Sequence, residues 1–292
     1  MSTPTVVAIG GGHGLSATLR ALRLLPVDPV AVVSVADDGG STGRLRAAGE
    51  RLAPGDLRKC LVALAEDSSP LLTVMEHRFE SGELKGHSFG NLLLAAFEES
   101  SGSMLGALDE VGGMLGVAGR VLPATMEPVE LVAELADGSI CVGQELISGT
   151  AGVRRVRLDP EPTACDEALE AISHADLVVL GPGSLYTSVL AAVAVPGVGE
   201  AIAQGEAPLA YVSNLAPQAR ETDGYDVADH VDALSRHGLV PDLVFHDDSR
   251  IGGAESVAGA RTANLVRDGD VAHDAELLAS ALRSALWGAA GS

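Results

Sequence analysis

Three glycine-rich loops follow runs of β-branched and small apolar residues in this chain. Each pattern predicts a strand, a tight turn and then a helix. In a parallel sheet the carboxyl ends of such strands share one edge, so backbone N–H groups from all three loops would converge in one crevice. That geometry suits a phosphorylated or nucleotide ligand. The loops are Gly10-Gly-Gly-His-Gly14 after Val6–Ile9, Asp37-Asp-Gly-Gly-Ser-Thr-Gly-Arg44 after Val30–Val35, and Gly181-Pro-Gly-Ser184 after Leu177–Leu180.

Composition agrees with a parallel sheet covered by helices. Hydrophobic residues make up 47% of the 292 residues but aromatic residues only 3%, so the core is built from Val, Leu, Ile and Ala. We predict one α/β domain over residues 1–292, with a Rossmann-like, doubly wound, mostly parallel sheet. From Gly119 to about Leu158 the apolar period changes to two, and Asp137-Gly138 is a strong hairpin signal. This stretch predicts an antiparallel β insertion at about 119–158.

The charge balance restricts the partners of the chain. The 19 basic and 40 acidic residues give a net charge of −21, which repels nucleic acid and anionic membranes at long range. Three widely spaced cysteines predict a reducing compartment, and no apolar run approaches the roughly 20 residues of a membrane helix. We therefore expect a cytoplasmic protein without nucleic-acid or membrane partners, and a homo-oligomer, a dimer, as its assembly.

The first loop is close to the Rossmann dinucleotide fingerprint but lacks its last glycine, because Leu15 stands three residues after Gly12. A phosphate clamp with the following helix start is the functional interpretation, and a tight strand–helix turn is the structural alternative. The broken fingerprint weakens the hypothesis of an NAD-dependent dehydrogenase.

The acids Asp37 and Asp38 follow the second predicted strand, where a dinucleotide fold places the acid that contacts ribose. They could instead hold Mg²⁺ together with ligand phosphates, or cap the next helix. They are also the candidate catalytic residues, and Arg44 could neutralise them or meet a phosphate. No other metal or cofactor is predicted.

The string Gly86-His-Ser-Phe-Gly90 matches the nucleophile elbow of α/β-hydrolases. The residues before it are polar rather than strand-like, so Ser88 is predicted to cap a helix or to donate to a ligand. Asp56 is likewise predicted as a helix N-cap.

In the third loop, Ser184 and the hydroxyls that follow it could cap a helix or bind a phosphate or a sugar.

At these motifs the chain resembles the gluconeogenesis factor family (YvcK-type), relatives of the 2-phospho-L-lactate transferases (CofD-type). His13 stands where that family usually has Thr, and Ala219-Arg220 stands where it usually has Pro-Gly. The resemblance rests on Gly10–Ser16, Val35–Arg46, Pro54–Leu64, Gly86–Leu94, Gly119–Thr125, Leu180–Ser188 and Glu221-Thr-Asp-Gly-Tyr225.

The resemblance implies a CofD-like fold and a cytoplasmic bacterial protein that binds UDP-sugars and acts in gluconeogenic growth, cell shape and cell-wall precursor supply. It leaves open a second function, Mg²⁺-dependent transfer of a phosphorus-containing group from a nucleotide-activated donor. The ligand-binding candidates are Gly10, Gly11, Gly12, His13, Gly14, Leu15, Asp37, Asp38, Gly39, Gly40, Ser41, Arg44, Asp56, Arg58, Ser88, Asn91, Gly181, Gly183, Ser184, Tyr186, Thr187 and Asn214.

Overall fold

Residues 3–47 and 52–288, which a computed structural model describes, form both strands and helices. The strands are β1 (Thr5–Gly10), β2 (Asp28–Val33), β3 (Arg120–Pro123), β4 (Glu130–Leu135), β5 (Ile140–Val142), β6 (Val153–Asp159), β7 (Leu177–Leu180), β8 (Leu209–Val212), β9 (Leu243–His246) and β10 (Ala260–Thr262). The helices are α1 (Gly12–Leu22), α2 (Gly40–Ala47), α3 (Pro54–Leu64), α4 (Leu72–Glu76), α5 (Phe89–Ser101), α6 (Met104–Leu115), α7 (Gln144–Ser148), α8 (Asp166–Ser173), α9 (Leu190–Val193), α10 (Val198–Gln204), α11 (Val227–Arg236) and α12 (Ala275–Trp287), and a π-helical turn (Leu185–Val189) precedes α9.

The central sheet has seven strands in the order β10-β9-β8-β7-β1-β2-β3, and every pair in it is parallel. Strand β1 lies between β2 and β7, with Val7 opposite both Val30 and Val178. The chain leaves β1 toward one edge of the sheet and returns at β7 to fill the other. Such a reversal opens a crevice at the carboxyl ends of the strands. The predicted α/β fold with a mostly parallel sheet is confirmed.

A second, three-stranded antiparallel sheet has the order β5-β4-β6, with Asp137-Gly138 between β4 and β5. The predicted hairpin is therefore present, but the insertion does not begin at Gly119. Strand β3 pairs in parallel with β2, with Leu122 opposite Val32, and belongs to the main sheet. The reason is that a four-residue apolar strand does not show by its period which sheet it joins.

The core is centred on β1, whose Val6–Ile9 segment is fully buried. Helix α1 packs against α3 and α12 beside it.

Helix α3 begins at Pro54 with Ala53 as its N-cap, so Asp56 lies inside the first turn and the predicted N-cap position was wrong. Strand β10 and helix α7 were not predicted, because segments of three and five residues carry too little periodicity. Across residues 3–47 and 52–288, we find no single helix with the length and apolarity of a membrane span.

Candidate functional site

The first and third glycine loops are packed directly against each other. A Cβ atom added to Gly14 would lie 2.2 Å from the carbonyl oxygen of Pro182 and 2.6 Å from the Cα of Gly183. Thr18 donates a hydrogen bond of 2.7 Å from its hydroxyl to the carbonyl of Gly181. The absence of a side chain at Gly14 is what allows the turn after β1 to touch the turn after β7. The two loops consequently form one continuous wall at the point where the strand order reverses.

A cavity of about 280 Å³ opens at this wall. Eight of the predicted ligand-binding residues line it, and all three loops reach it. The predicted convergence of backbone N–H groups from all three loops is not present, because the second loop contributes only Asp37 and the Gly183 amide donates to Asn214. Four further lining residues were missed, although Lys59 lies inside a string that carried the family resemblance. The lining residues are Gly11, Gly12, His13, Gly14, Asp37, Asp56, Lys59, Gln144, Gly183, Ser184, Ser188 and Gln218.

The start of helix α1 supplies donors to the cavity. The amide of Gly12 donates to Asp56 Oδ2 at 2.7 Å, and Lys59 Nζ donates to Asp56 Oδ1 at 2.9 Å. The amides of His13 and Gly14 donate to no group in the described part of the chain. Helix-terminal amides of this kind are favourable positions for an anion, and Lys59 adds a cation beside them.

The His13 side chain adds no positive charge to the cavity at neutral pH. Burial lowers the pKa of its imidazole below the ordinary value, and the nearby Lys59 ammonium lowers it further. Lys59 is consequently the one cationic side chain among the described residues that line the cavity.

The two adjacent acids of the second loop separate in the fold. Asp37 lines the cavity, whereas Asp38 accepts a hydrogen bond of 2.9 Å from the amide of Glu145 and so holds the start of α7. Burial raises the pKa of Asp37, and the neighbouring Asp56 carboxylate raises it further. The carboxylates that share the cavity are therefore Asp37 and Asp56, not the predicted pair Asp37 and Asp38. Adjacent residues after a strand point in different directions, whereas a helix can bring a distant acid to the same place.

The carboxylates of Asp37 and Asp56 supply only part of the ligands that a Mg²⁺ ion needs. Residues 3–47 and 52–288 contain no cluster of three or more His, Cys, Asp or Glu side chains that could hold a metal ion. Mg²⁺ is commonly bound by one or two carboxylates together with substrate phosphates. Asp37 and Asp56 therefore fit a Mg²⁺ ion that arrives with a phosphorylated ligand, and they do not form a metal site by themselves.

The π-helical turn after Ser184 is occupied by a carboxylate of the protein itself. The buried Glu221 accepts hydrogen bonds from the amides of Tyr186 and Thr187 at 2.7 and 3.1 Å and from the Thr187 hydroxyl at 3.1 Å. Neither Tyr186 nor Thr187 lines the cavity. The prediction that these two residues bind the ligand therefore does not fit the structure, because an acid distant in sequence has taken the helix-terminal position.

The residue before Glu221 has an unusual backbone. Arg220 has φ = +73°, the left-handed region that glycine favours, and it stands where the resembled family usually has glycine. The turn that delivers Glu221 to the π-helical turn thus keeps a glycine-like conformation without a glycine.

Three predicted ligand residues form a buried cluster away from the cavity. Arg58 donates from Nε to Asn91 Oδ1 at 3.0 Å and from Nη1 to the carbonyl of Met75 at 3.3 Å. The Ser88 hydroxyl donates to the same carbonyl at 3.3 Å, and it does not cap α5 although Ser88 stands at the N-cap position. Arg58, Ser88 and Asn91 join α3, α4 and α5, and none of them lines the cavity. Ser88 nevertheless touches the second loop, because its amide donates to the Ser41 hydroxyl at 3.4 Å.

The remaining predicted residues surround the cavity without lining it. Ser41 and Arg44 hydrogen bond to the ring of His87, over 3.2 and 3.3 Å, and fix α2 against the loop before α5. Asn214 Oδ1 accepts from the amide of Gly183 at 3.1 Å and supports the third loop. The others of this group are Gly10, the core residue Leu15, Asp38, Gly39, Gly40 and Gly181.

Comparison with known proteins shows which family this chain is similar to. The family described as "2-phospho-L-lactate transferase CofD" matches residues 6–281. The gluconeogenesis factor of Halalkalibacterium halodurans is 45% identical over 85% of this chain and 79% of its own length. A Deinococcus radiodurans relative is 43% identical over 97% of this chain, and the chain spans 66% of that protein.

A solved structure extends the similarity to three dimensions. The crystal structure of a UPF0052 family member from Bacillus halodurans superposes with a TM-score of 0.92 at 38% identity, covering 97% of this chain and 99% of that chain. The family match spans nearly the whole chain, from β1 to within α12. The chain therefore belongs to the CofD family, within which its relatives include a gluconeogenesis factor.

Proposed function

We propose that this protein binds a nucleotide-sugar of the UDP type, with the phosphates in the cavity between the β1 and β7 loops. In this proposal it acts as a gluconeogenesis factor that adjusts carbon flow to cell-wall precursors, and thereby cell shape, during growth on gluconeogenic carbon. The observation that supports it most is the set of anion donors at one wall, the His13 and Gly14 amides beside Lys59. The similarity to a gluconeogenesis factor supports the biological role.

The charge of the whole protein makes these local donors necessary. A net charge of −21 repels a nucleotide at long range, so an anion is held only where donors are concentrated. Asp37 and Asp56 add further negative charge within the cavity itself. We therefore expect Mg²⁺ to strengthen binding, because these carboxylates would help to hold the ion and it would neutralise charge on the ligand phosphates.

Calorimetric titration tests the proposal. The protein is titrated with UDP-N-acetylglucosamine, GDP and NAD, each with Mg²⁺ and again with EDTA. We expect saturable heat with the UDP-sugar, larger affinity with Mg²⁺, and weaker or no binding of NAD. Lack of heat with every nucleotide in both conditions would contradict the proposal.

A second candidate function is transfer of a phosphorus-containing group from a nucleotide-activated donor. The paired carboxylates Asp37 and Asp56 favour it, because a buried acid with a raised pKa beside a second acid is typical of sites where protons or metal ions are handled. When bound, Mg²⁺ would neutralise charge on the transferred group. In this role Asp56, held by the Gly12 amide and Lys59, would keep a fixed carboxylate beside Asp37, which would orient the acceptor.

Mass spectrometry of nucleotide consumption distinguishes the two functions. The protein is incubated with Mg²⁺, nucleotide-activated donors and a panel of hydroxyl acceptors. If the protein is a transferase, turnover occurs and Asp37→Asn reduces it at least about 100-fold, since the carboxylate on which metal and acceptor depend is lost. Binding without turnover across the panel would leave the regulatory function as the correct one.

A further inference from the structure

A second cavity, of about 330 Å³, lies on the antiparallel sheet and is lined by Glu134, Arg154, Arg155 and Arg236. It shares no lining residue with the cavity at the glycine loops. Three guanidinium groups and one carboxylate give it a net positive charge, whereas the chain as a whole carries −21. Three arginines grouped in so acidic a protein indicate that the cavity itself has a use for positive charge.

An irregularity in the sheet places two of these arginines together. Strands β4 and β6 pair Leu135 with Val153 and Glu134 with Arg155, so Arg154 is an extra residue without a partner on β4. Consecutive strand residues normally point to opposite faces, and a bulge breaks that alternation. Here Arg154 and Arg155 are both exposed and both line the same cavity.

Neutral groups hold two of the guanidinium groups in place. Arg155 donates from Nη2 to the carbonyl of Arg236 at 2.7 Å, and Arg236 donates from Nη2 to the phenol oxygen of Tyr186 at 3.1 Å. No ion pair within 4.0 Å joins any of the three arginines to an acid among the described residues. Two of the three guanidinium groups are thus oriented without an ion pair, and the single Glu134 carboxylate in the lining leaves the cavity with a net positive charge.

Ordinary surface effects account for only part of this arrangement. Arg236 is the last residue of α11, where the helix dipole favours a cation. That effect gives no reason for Arg154 and Arg155 to point into the same cavity. The nearby His237 has a pKa lowered by burial and further by Arg155 and Arg236, so its imidazole adds no charge at neutral pH.

We propose that this arginine cavity binds a small polyanion that carries phosphoryl or carboxylate groups. Guanidinium groups bind such groups through paired, charge-assisted hydrogen bonds, and oriented ones lose little freedom on binding. The volume lies near the lower end of the range for small-molecule sites, which favours a compact metabolite. The link from Arg236 to Tyr186, two residues beyond Ser184, connects this site to the π-helical turn beside the other cavity.

Calorimetric titration with inorganic pyrophosphate and, separately, with citrate tests the proposal. Both titrations use the Lys59→Met protein, in which the glycine-loop site is weakened, so that anion binding there contributes little to the measured heat. We expect pyrophosphate, citrate or both to bind, and Arg154→Gln in the same protein to weaken binding about tenfold. The probe that binds more tightly identifies the preferred group. The Arg154 side chain is exposed and makes no hydrogen bond to a described residue, so its replacement should leave the melting temperature unchanged.

Arg157→Gln is the matched control, because Arg157 lies on the same strand, is exposed and does not line the cavity. We expect it to change affinity less than about twofold, as a screened surface charge does. Equal effects of the two substitutions, or no binding of either probe at millimolar concentration, would overturn the proposal. A dimer that Arg154→Gln dissociates, without any anion binding, would overturn it too and assign the arginines to contact with a second copy.

Discussion

Replacing Gly14 with alanine is expected to lower the free energy of unfolding by about 3 kcal/mol, near the upper end for overpacking. The added Cβ would lie 2.2 Å from the carbonyl oxygen of Pro182 and 2.6 Å from the Cα of Gly183. These contacts are with backbone, which cannot rotate away as a side chain can. Gly14 itself has no positive φ, so the clash alone produces the effect. Chemical denaturation of the variant and the parent protein measures it.

Gly113→Ala is the matched control for this substitution. Gly113 is an exposed helical glycine in α6, and a Cβ built there meets no atom within 4 Å. An alanine at such a position should be neutral or stabilise the protein by up to about 1 kcal/mol. If Gly14→Ala were as harmless as Gly113→Ala, the two glycine loops would not be in contact, and the cavity between them would not exist as described.

Replacing Lys59 with methionine is expected to weaken nucleotide binding about 50-fold, which corresponds to about 2.3 kcal/mol. Lys59 is the one cationic side chain among the described residues that line the cavity, and it also neutralises Asp56. Its loss removes a donor to phosphate and leaves two carboxylates facing the anion. Methionine keeps most of the length and apolar surface of the stem, so the fold should be preserved. Titration with UDP-N-acetylglucosamine and Mg²⁺ measures the change.

The second lysine of the chain provides the control. Lys85 is exposed and lies outside the cavity, so Lys85→Met makes the same change in net charge without touching the site. We expect its affinity to stay within about twofold of the parent, because an exposed charge acts only through screened long-range forces. Equal losses for the two variants would mean that net charge, rather than a placed ammonium group, governs binding.

The sequence by itself predicted the strand–loop–helix units and the meeting of their loops. It could do so because three apolar runs each end in glycines, and because parallel strands place their carboxyl ends at one edge. It also predicted the hairpin at Asp137-Gly138, since turn chemistry is local. It did not predict which acids share the cavity. Asp56 lies on the first turn of α3 and shares the cavity with Asp37, an arrangement that depends on how α3 packs in the fold.

What the sequence determined are periodicity and turns, which act over a few residues, and the overall charge, which is a simple sum. The tertiary structure alone decided which donors remain available at the glycine loops. Glu221 takes the amides of Tyr186 and Thr187, and Asp56 takes that of Gly12, whereas the amides of His13 and Gly14 stay without a partner in the described chain. The physical reason is that a buried amide must be paired, and the acceptor that pairs it can come from any distance along the chain.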